Sequence, residues 1–175
     1  ISTIYLLPDN LEEYGDDLII YSDCMAEFFN MLSNNPIIPK QKVKVSIFGK
    51  WYKLPGKLLD SLKNIIENTK DYDNFFVNFC INYDGQEEIV DACRLIAKQV
   101  ELGKITPEMI TKESIKENIY SSYFLPPDII LIYGDRKLSG LLLWDSAESM
   151  VVFADKSFME FEYADFEKLD RNIYK

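Results

Sequence analysis

The sequence predicts an α/β fold, a parallel sheet flanked by helices, and three observations lead to it. Short runs rich in β-branched and aromatic residues alternate with longer stretches whose apolar residues recur at helical spacing. Along the chain the order is strand–helix, strand–helix, strand–helix–helix, strand–helix, as when strands are joined by helical crossovers. Ile129 to Ile132 is apolar at every position, the pattern of a strand covered on both faces of a parallel sheet.

Ser2 to Leu7 reads as the first strand, ended by Pro8-Asp9-Asn10. Over residues 16–33, Leu18, Ile19, Met25, Phe28, Phe29 and Leu32 fall at helical spacing, and Asp16 and Asp17 put negative charge in the first turn, where the helix dipole favours it. Val43 to Phe48 alternates with Lys42, Lys44 and Ser46 and is a strand that Gly49-Lys50 ends. Lys57 to Asn68 follows as a helix with Leu58, Leu59, Leu62, Ile65 and Ile66 inward. Then come a strand over Phe75 to Tyr83 and a long helix over Gln86 to Leu102, stopped by Gly103. Thr106-Pro107 opens the next helical stretch as N-cap and first helical residue. Pro126 and Pro127 precede the strand at Ile129, and a last short helix is expected over Tyr163 to Leu169 in an acidic, aromatic tail.

With 175 residues the chain is expected to form a single domain over 1–175, large enough to bury a core. A net charge of −10 argues against a nucleic-acid partner and leaves no broad basic surface for anionic lipid. There is no histidine, which removes Ser-His and Cys-His nucleophile systems and most zinc sites. Cys24, Cys80 and Cys93 lack metal or redox spacing and read as buried, reduced thiols of a cytoplasmic protein. No stretch is long and apolar enough to span a membrane, and none has the pattern of a signal peptide. The chain opens at Ile1 directly in a strand, from which further residues upstream are expected.

The richest stretch is 125–145. After the apolar strand, Gly134 and Asp135 turn the chain, Arg136 and Lys137 place two cations at the strand's carboxyl end, and Ser139-Gly140 leads into Leu141–Trp144. Ligands of open α/β sheets bind outside the carboxyl ends of strands, so this is a candidate anion site; a solvated surface turn is the alternative. Asp128, Ile132, Gly134, Leu138, Ser139, Gly140, Leu142, Leu143, Trp144, Asp145 and Ser146 fit D-x-x-I-R-T-x-G-E-x-R-L-S-N/G-F-L-L-W-Q/D-S. That pattern is the C-terminal signature of the cis-prenyltransferases, the undecaprenyl and dehydrodolichyl diphosphate synthases, which the chain resembles. Ile81 to Ala92 is similar to the same family's N-Y-G-G-R-x-E-I-V-x-A block, and Phe153-Ala154-Asp155 follows in family order.

The resemblance implies a cis-prenyltransferase-like fold that here lacks the family's N-terminal strand and phosphate loop. It implies condensation of isopentenyl diphosphate onto an allylic diphosphate, with Mg²⁺ and a homodimer or a heterodimer with a related subunit. Peripheral contact with a membrane would come through the lipid product. Carried over residue by residue, Arg136, Lys137 and Ser139 would bind isopentenyl diphosphate, and Asn10 would lie near the allylic substrate unless it only caps the next element. Phe28 and Phe29 would line a tunnel for the growing chain, or simply pack. Two departures stand out: the first signature Arg falls at Tyr133, and the metal-binding Glu falls at Met150, with Glu148 the nearest carboxylate. Glu148 shares a face with Met150 only if both lie on a strand. The catalytic metal-binding Asp of the family block is expected upstream of Ile1. Three readings follow: a working synthase, a non-catalytic partner subunit of a heteromeric one, or a lipid- or protein-binding module on the same fold.

Overall fold

The computed structural model describes residues 1–8, 15, 17–133, 137–138, 140–156, 160–162 and 164–167. It contains two compact units, Ile1–Glu88 and Ile89–Lys175.

The first unit runs β1 (Ser2–Pro8), α1 (Asp17–Ser33), α2 (Ile37–Gln41), β2 (Val43–Phe48), a 3₁₀ turn (Trp51–Lys53), α3 (Gly56–Thr69), β3 (Phe75–Tyr83) and the start of α4 (Gly85–Glu101). Its sheet is parallel in the order β1-β3-β2. Register follows the side-chain alternation: Ile4 lies beside Phe79, and Val45 beside Val77, so one face of the sheet is apolar. Against that face α3 sets Leu58, Leu62 and Ile65, spaced i, i+4, i+7, and α1 sets Ala26 and Phe29; all five are fully buried. Each large side chain buried there contributes about 1.5–3 kcal/mol. Thr69 ties α3 to the sheet: its Oγ1 donates to the Ile65 carbonyl (2.8 Å) and accepts from the Val45 amide (3.1 Å).

The second unit holds the rest of α4, a 3₁₀ turn (Pro107–Met109), α5 (Lys112–Lys116), β4 (Ile129–Tyr133), a 3₁₀ turn (Asp145–Glu148) and β5 (Met150–Ala154). β4 and β5 pair in parallel from Ile129↔Met150 to Tyr133↔Ala154. Residues 164–167 are helical, inside the helix expected over Tyr163 to Leu169.

Three sequence expectations change here. Thr106 does not cap a long helix: its side chain makes no capping hydrogen bond, and Pro107 opens only a 3₁₀ turn. The capping box lies at Thr111, whose Oγ1 accepts from the Ser114 amide while Ser114 Oγ accepts from the Thr111 amide (2.7 Å). β5 was not among the expected strands, because a five-residue run directly after a turn has too few alternations to register. In β4 only Ile130 is buried, so the continuous apolar run did not mean cover on both faces along its whole length.

Candidate active site

The carboxyl ends of β2 and β3 are built around one glycine. Gly49 follows β2 with φ +103°, and a Cβ there would lie 2.5 Å from the Ile81 carbonyl oxygen, 2.8 Å from that of Asn82 and 2.9 Å from Tyr83 Cβ. Only glycine lets the chain pass so close to β3. The approach is fixed from both sides: the Lys50 amide donates to the Asn82 carbonyl (2.8 Å), and Asn82 Nδ2 donates to the Lys50 carbonyl (3.0 Å). Lys50 Nζ then reaches Glu87 Oε2 at 2.7 Å.

Tyr83 and Glu88 are both buried, and Tyr83 Oη donates to Glu88 Oε2 at 2.6 Å. Tyr5 Oη donates to the Tyr83 carbonyl at 3.2 Å, joining β1 to the cluster. Burial, reinforced by the Glu88 carboxylate, pushes the nearby Cys80 thiol up. Asn82 adopts φ +50°, and its buried Oδ1 has no hydrogen-bond partner among the described residues. At the amino end of α4, Asp84 Oδ1 accepts from the Gln86 (2.7 Å) and Glu87 (2.9 Å) amides, so the chain's own carboxylate occupies the place an anion would take.

Within the first unit's core, the Phe29 ring is wholly buried, its centroid 5.1 Å from that of Phe79. Phe28 stacks edge-on against both rings yet keeps 44% of its surface exposed. Of the two expected tunnel residues, then, Phe29 is core and Phe28 offers a surface.

In the second unit Lys137 is exposed, four residues past the end of β4. Arg136, Ser139 and Asn10 lie outside the described residues. Tyr133, at the position of the signature Arg, closes β4 and is 44% exposed; Met150 opens β5 and is partly buried. Glu148 is exposed in the 3₁₀ turn ahead of β5 rather than on a strand with Met150. Because β4 and β5 are parallel, Glu148 sits by the amino end of the pair and Lys137 beyond its carboxyl end, with about 13 Å of strand between those ends. Among the described residues no three His, Cys, Asp or Glu side chains come together to hold a metal, so they do not fit a complete Mg²⁺ site.

Sequence reasoning missed a buried network here. Asp145, 2% exposed at its side chain, accepts from Lys116 Nζ at 2.6 and 2.8 Å and from Ser121 Oγ at 2.6 Å. Asp145 and Glu88 lay in motifs already quoted, but nothing in the sequence marked Lys116, since its partner is 29 positions away. The expected burial is found for Cys80, while Cys24 and Cys93 are exposed. Among the described residues no helix is long and apolar enough to cross a membrane.

The prenyltransferase family model described as "Putative undecaprenyl diphosphate synthase" matches residues 16–172. The chain is 32% identical over 175 residues to a tritrans,polycis-undecaprenyl-diphosphate synthase (geranylgeranyl-diphosphate specific) of Methanopyrus kandleri, covering 99% of this chain and 65% of that protein. It is 35% identical over 179 residues to the protein of the same description from Methanocaldococcus jannaschii, covering 100% of this chain and 64% of that one. It therefore spans about two thirds of the length of these curated relatives. Lavandulyl diphosphate synthase of Lavandula x intermedia, solved in complex with dimethylallyl diphosphate, matches with a TM-score of 0.89 at 22% identity, covering 98% of this chain and 74% of that one. That likeness is one of fold.

Proposed function

Because the chain belongs to the undecaprenyl diphosphate synthase family, we propose that the protein is a cis-prenyltransferase that condenses isopentenyl diphosphate onto an allylic diphosphate. The match across residues 16–172 carries the reading. The exposed Lys137 beyond β4 supports the location of one diphosphate.

In this reading Arg136, Lys137 and Ser139 hold the diphosphate of isopentenyl diphosphate. Lys137 acts as a point charge, without the bidentate fork that an Arg would bring. Asn10 orients the allylic partner, and Phe28 gives the growing apolar tail a wall that Phe29 buttresses from the core. Mg²⁺ would neutralise diphosphate charge; since the described residues do not assemble its site, no step is assigned to it, and Glu148 is proposed only as an outlying carboxylate. A dimer, homomeric or with a related subunit, is part of the reading. The helix around residues 86–102, with Val90 and Leu95 exposed, and the Leu141–Trp144 segment, partly buried and with Leu142 enclosed, are its proposed surface. Contact with a membrane would be peripheral, through the product.

The test is incorporation of labelled isopentenyl diphosphate by the full-length purified protein with Mg²⁺ and either farnesyl or geranylgeranyl diphosphate. Polyprenyl diphosphate product is expected. Lys137→Ala should raise KM for isopentenyl diphosphate about 10-fold or more, the loss of one charge-assisted contact of about 1.5–3 kcal/mol. A folded protein without turnover overturns the catalytic reading and turns the search to a co-purifying homologous subunit.

A further inference from the structure

We propose that the first unit's sheet holds a bound water molecule on the face turned away from α1 and α3, at a site built by Asn78 of β3 and Ser46 of β2. The site stands independently of the cis-prenyltransferase reading.

Three observations carry it. The first is polarity where the fold calls for apolar side chains. β3 is the middle strand of the order β1-β3-β2. Its Val77, Phe79 and Ile81 pack into the core with α1 and α3, so alternation puts Asn78, Cys80 and Asn82 on the opposite face. A parallel strand covered on both faces is ordinarily apolar along its length. Asn78 and Asn82 break that rule, and each is only 1% exposed.

The second is an unmet amide. Asn78 Nδ2 donates to Thr3 Oγ1 at 3.3 Å, but among the described residues nothing donates to its buried Oδ1. Turning the amide over lets the Thr3 hydroxyl meet the oxygen and orphans the nitrogen in its place. Either orientation therefore needs one more partner. Ordered water is what ordinarily meets a buried polar atom that the chain leaves over.

The third is room, together with a second group to hold the water. Asn78 lies in register with Thr3 on one side and Ser46 on the other. This rung of short polar side chains stands between two rungs of long ones. Lys44 and Phe76 precede it on the same face, and Tyr5 and Phe48, flanking Cys80, follow it. The change in length leaves a notch with a polar floor. Ser46 is partly exposed, so the notch is open to solvent along β2. Adjacent strands lie about 4.8 Å apart, a gap that one water spans with two bonds of about 2.8 Å. Placed there, the water donates to Asn78 Oδ1 and shares its other bond with Ser46 Oγ, joining β2 to β3 above the backbone ladder.

The experiment uses the full-length protein and its Ser46→Thr and Ser46→Val variants, in crystal structures that show ordered water and in thermal unfolding. The two replacements have the same shape and both suit a strand, so they differ by a hydroxyl against a methyl. A water peak is expected within hydrogen-bond distance of both the Asn78 amide and Ser46 Oγ, kept in Ser46→Thr and lost in Ser46→Val. Ser46→Val should melt about 2–12 °C below Ser46→Thr, because the methyl displaces the water and leaves the Asn78 amide unmet. A dry notch gives the reverse order, since the methyl then fills empty space. An ordered Asn78 with no water at its amide overturns the proposal, as does a protein donor seated there. Ser46→Val melting at or above Ser46→Thr overturns it too.

Discussion

Replacing Gly49 by alanine should be among the most damaging single-methyl additions in this chain. Two effects add. At φ +103° an alanine leaves the allowed regions, a backbone cost of about 1–2 kcal/mol. Its Cβ would also stand 2.5 and 2.8 Å from two carbonyl oxygens of β3, which cannot swing aside as a side chain could. Relief requires β2 and β3 to part at their carboxyl ends, breaking the Lys50 amide–Asn82 carbonyl bond of 2.8 Å and the return bond from Asn82 Nδ2. Leaving those buried groups unmet costs about 1–3 kcal/mol more. Together the loss is about 2–5 kcal/mol, or a fall in Tm on the order of 4–20 °C for a chain of this length. Urea denaturation followed by circular dichroism measures it, with two internal controls. Gly103→Ala has positive φ but nothing within 4 Å among the described residues, so it should show the backbone part alone, about 1–2 kcal/mol. Gly56→Ala, at the start of α3 with nothing within 4 Å among the described residues and ordinary φ, should be neutral or slightly stabilising. If Gly49→Ala costs no more than Gly103→Ala, the steric reasoning is wrong.

Other outcomes follow from the same geometry. Leu62→Ala, in the centre of the α1–α3–sheet core, should cost about 2–5 kcal/mol in the same assay, with the spread set by how far the cavity collapses. Tyr83→Phe deprives the buried Glu88 carboxylate of its 2.6 Å donor and should cost about 1–3 kcal/mol. Titration of the native protein with a thiol reagent should modify Cys24 and Cys93 quickly and Cys80 only on unfolding. Since burial raises the Cys80 pKa in the folded state, stability linked to this thiol is fully present below its ordinary value of 9.0 and is lost as pH rises past it; Cys80→Ala should flatten that alkaline fall. Thr111→Ala should cost about 1 kcal/mol by removing the cap of α5, seen as faster amide exchange over 112–116.

What could be read in the sequence was what local rules decide. The strands Ser2–Pro8, Val43–Phe48 and Phe75–Tyr83, and the helices Asp17–Ser33, Gly56–Thr69 and Gly85–Glu101, lie within a residue or two of their expected limits, because amphipathic period and turn residues act over short range. Parallel pairing of β1, β2 and β3 followed from the alternation of strands and helices, and the family from blocks of side chains in fixed order, whereas the pairing of β4 with the unexpected β5 did not. Only the tertiary structure decided which apolar residues were core. Phe28 and Phe29 are neighbours in one helix, yet 100° of rotation makes one half-exposed and the other fully enclosed. It also decided the polar partnerships. Lys116 and Asp145, or Lys50 and Glu87, meet across 29 and 37 positions, and no pattern in either segment announces the other. The physical reason is that hydrophobic periodicity is written along the chain, whereas a buried charge is satisfied by whatever donor the folded chain brings within 3 Å of it.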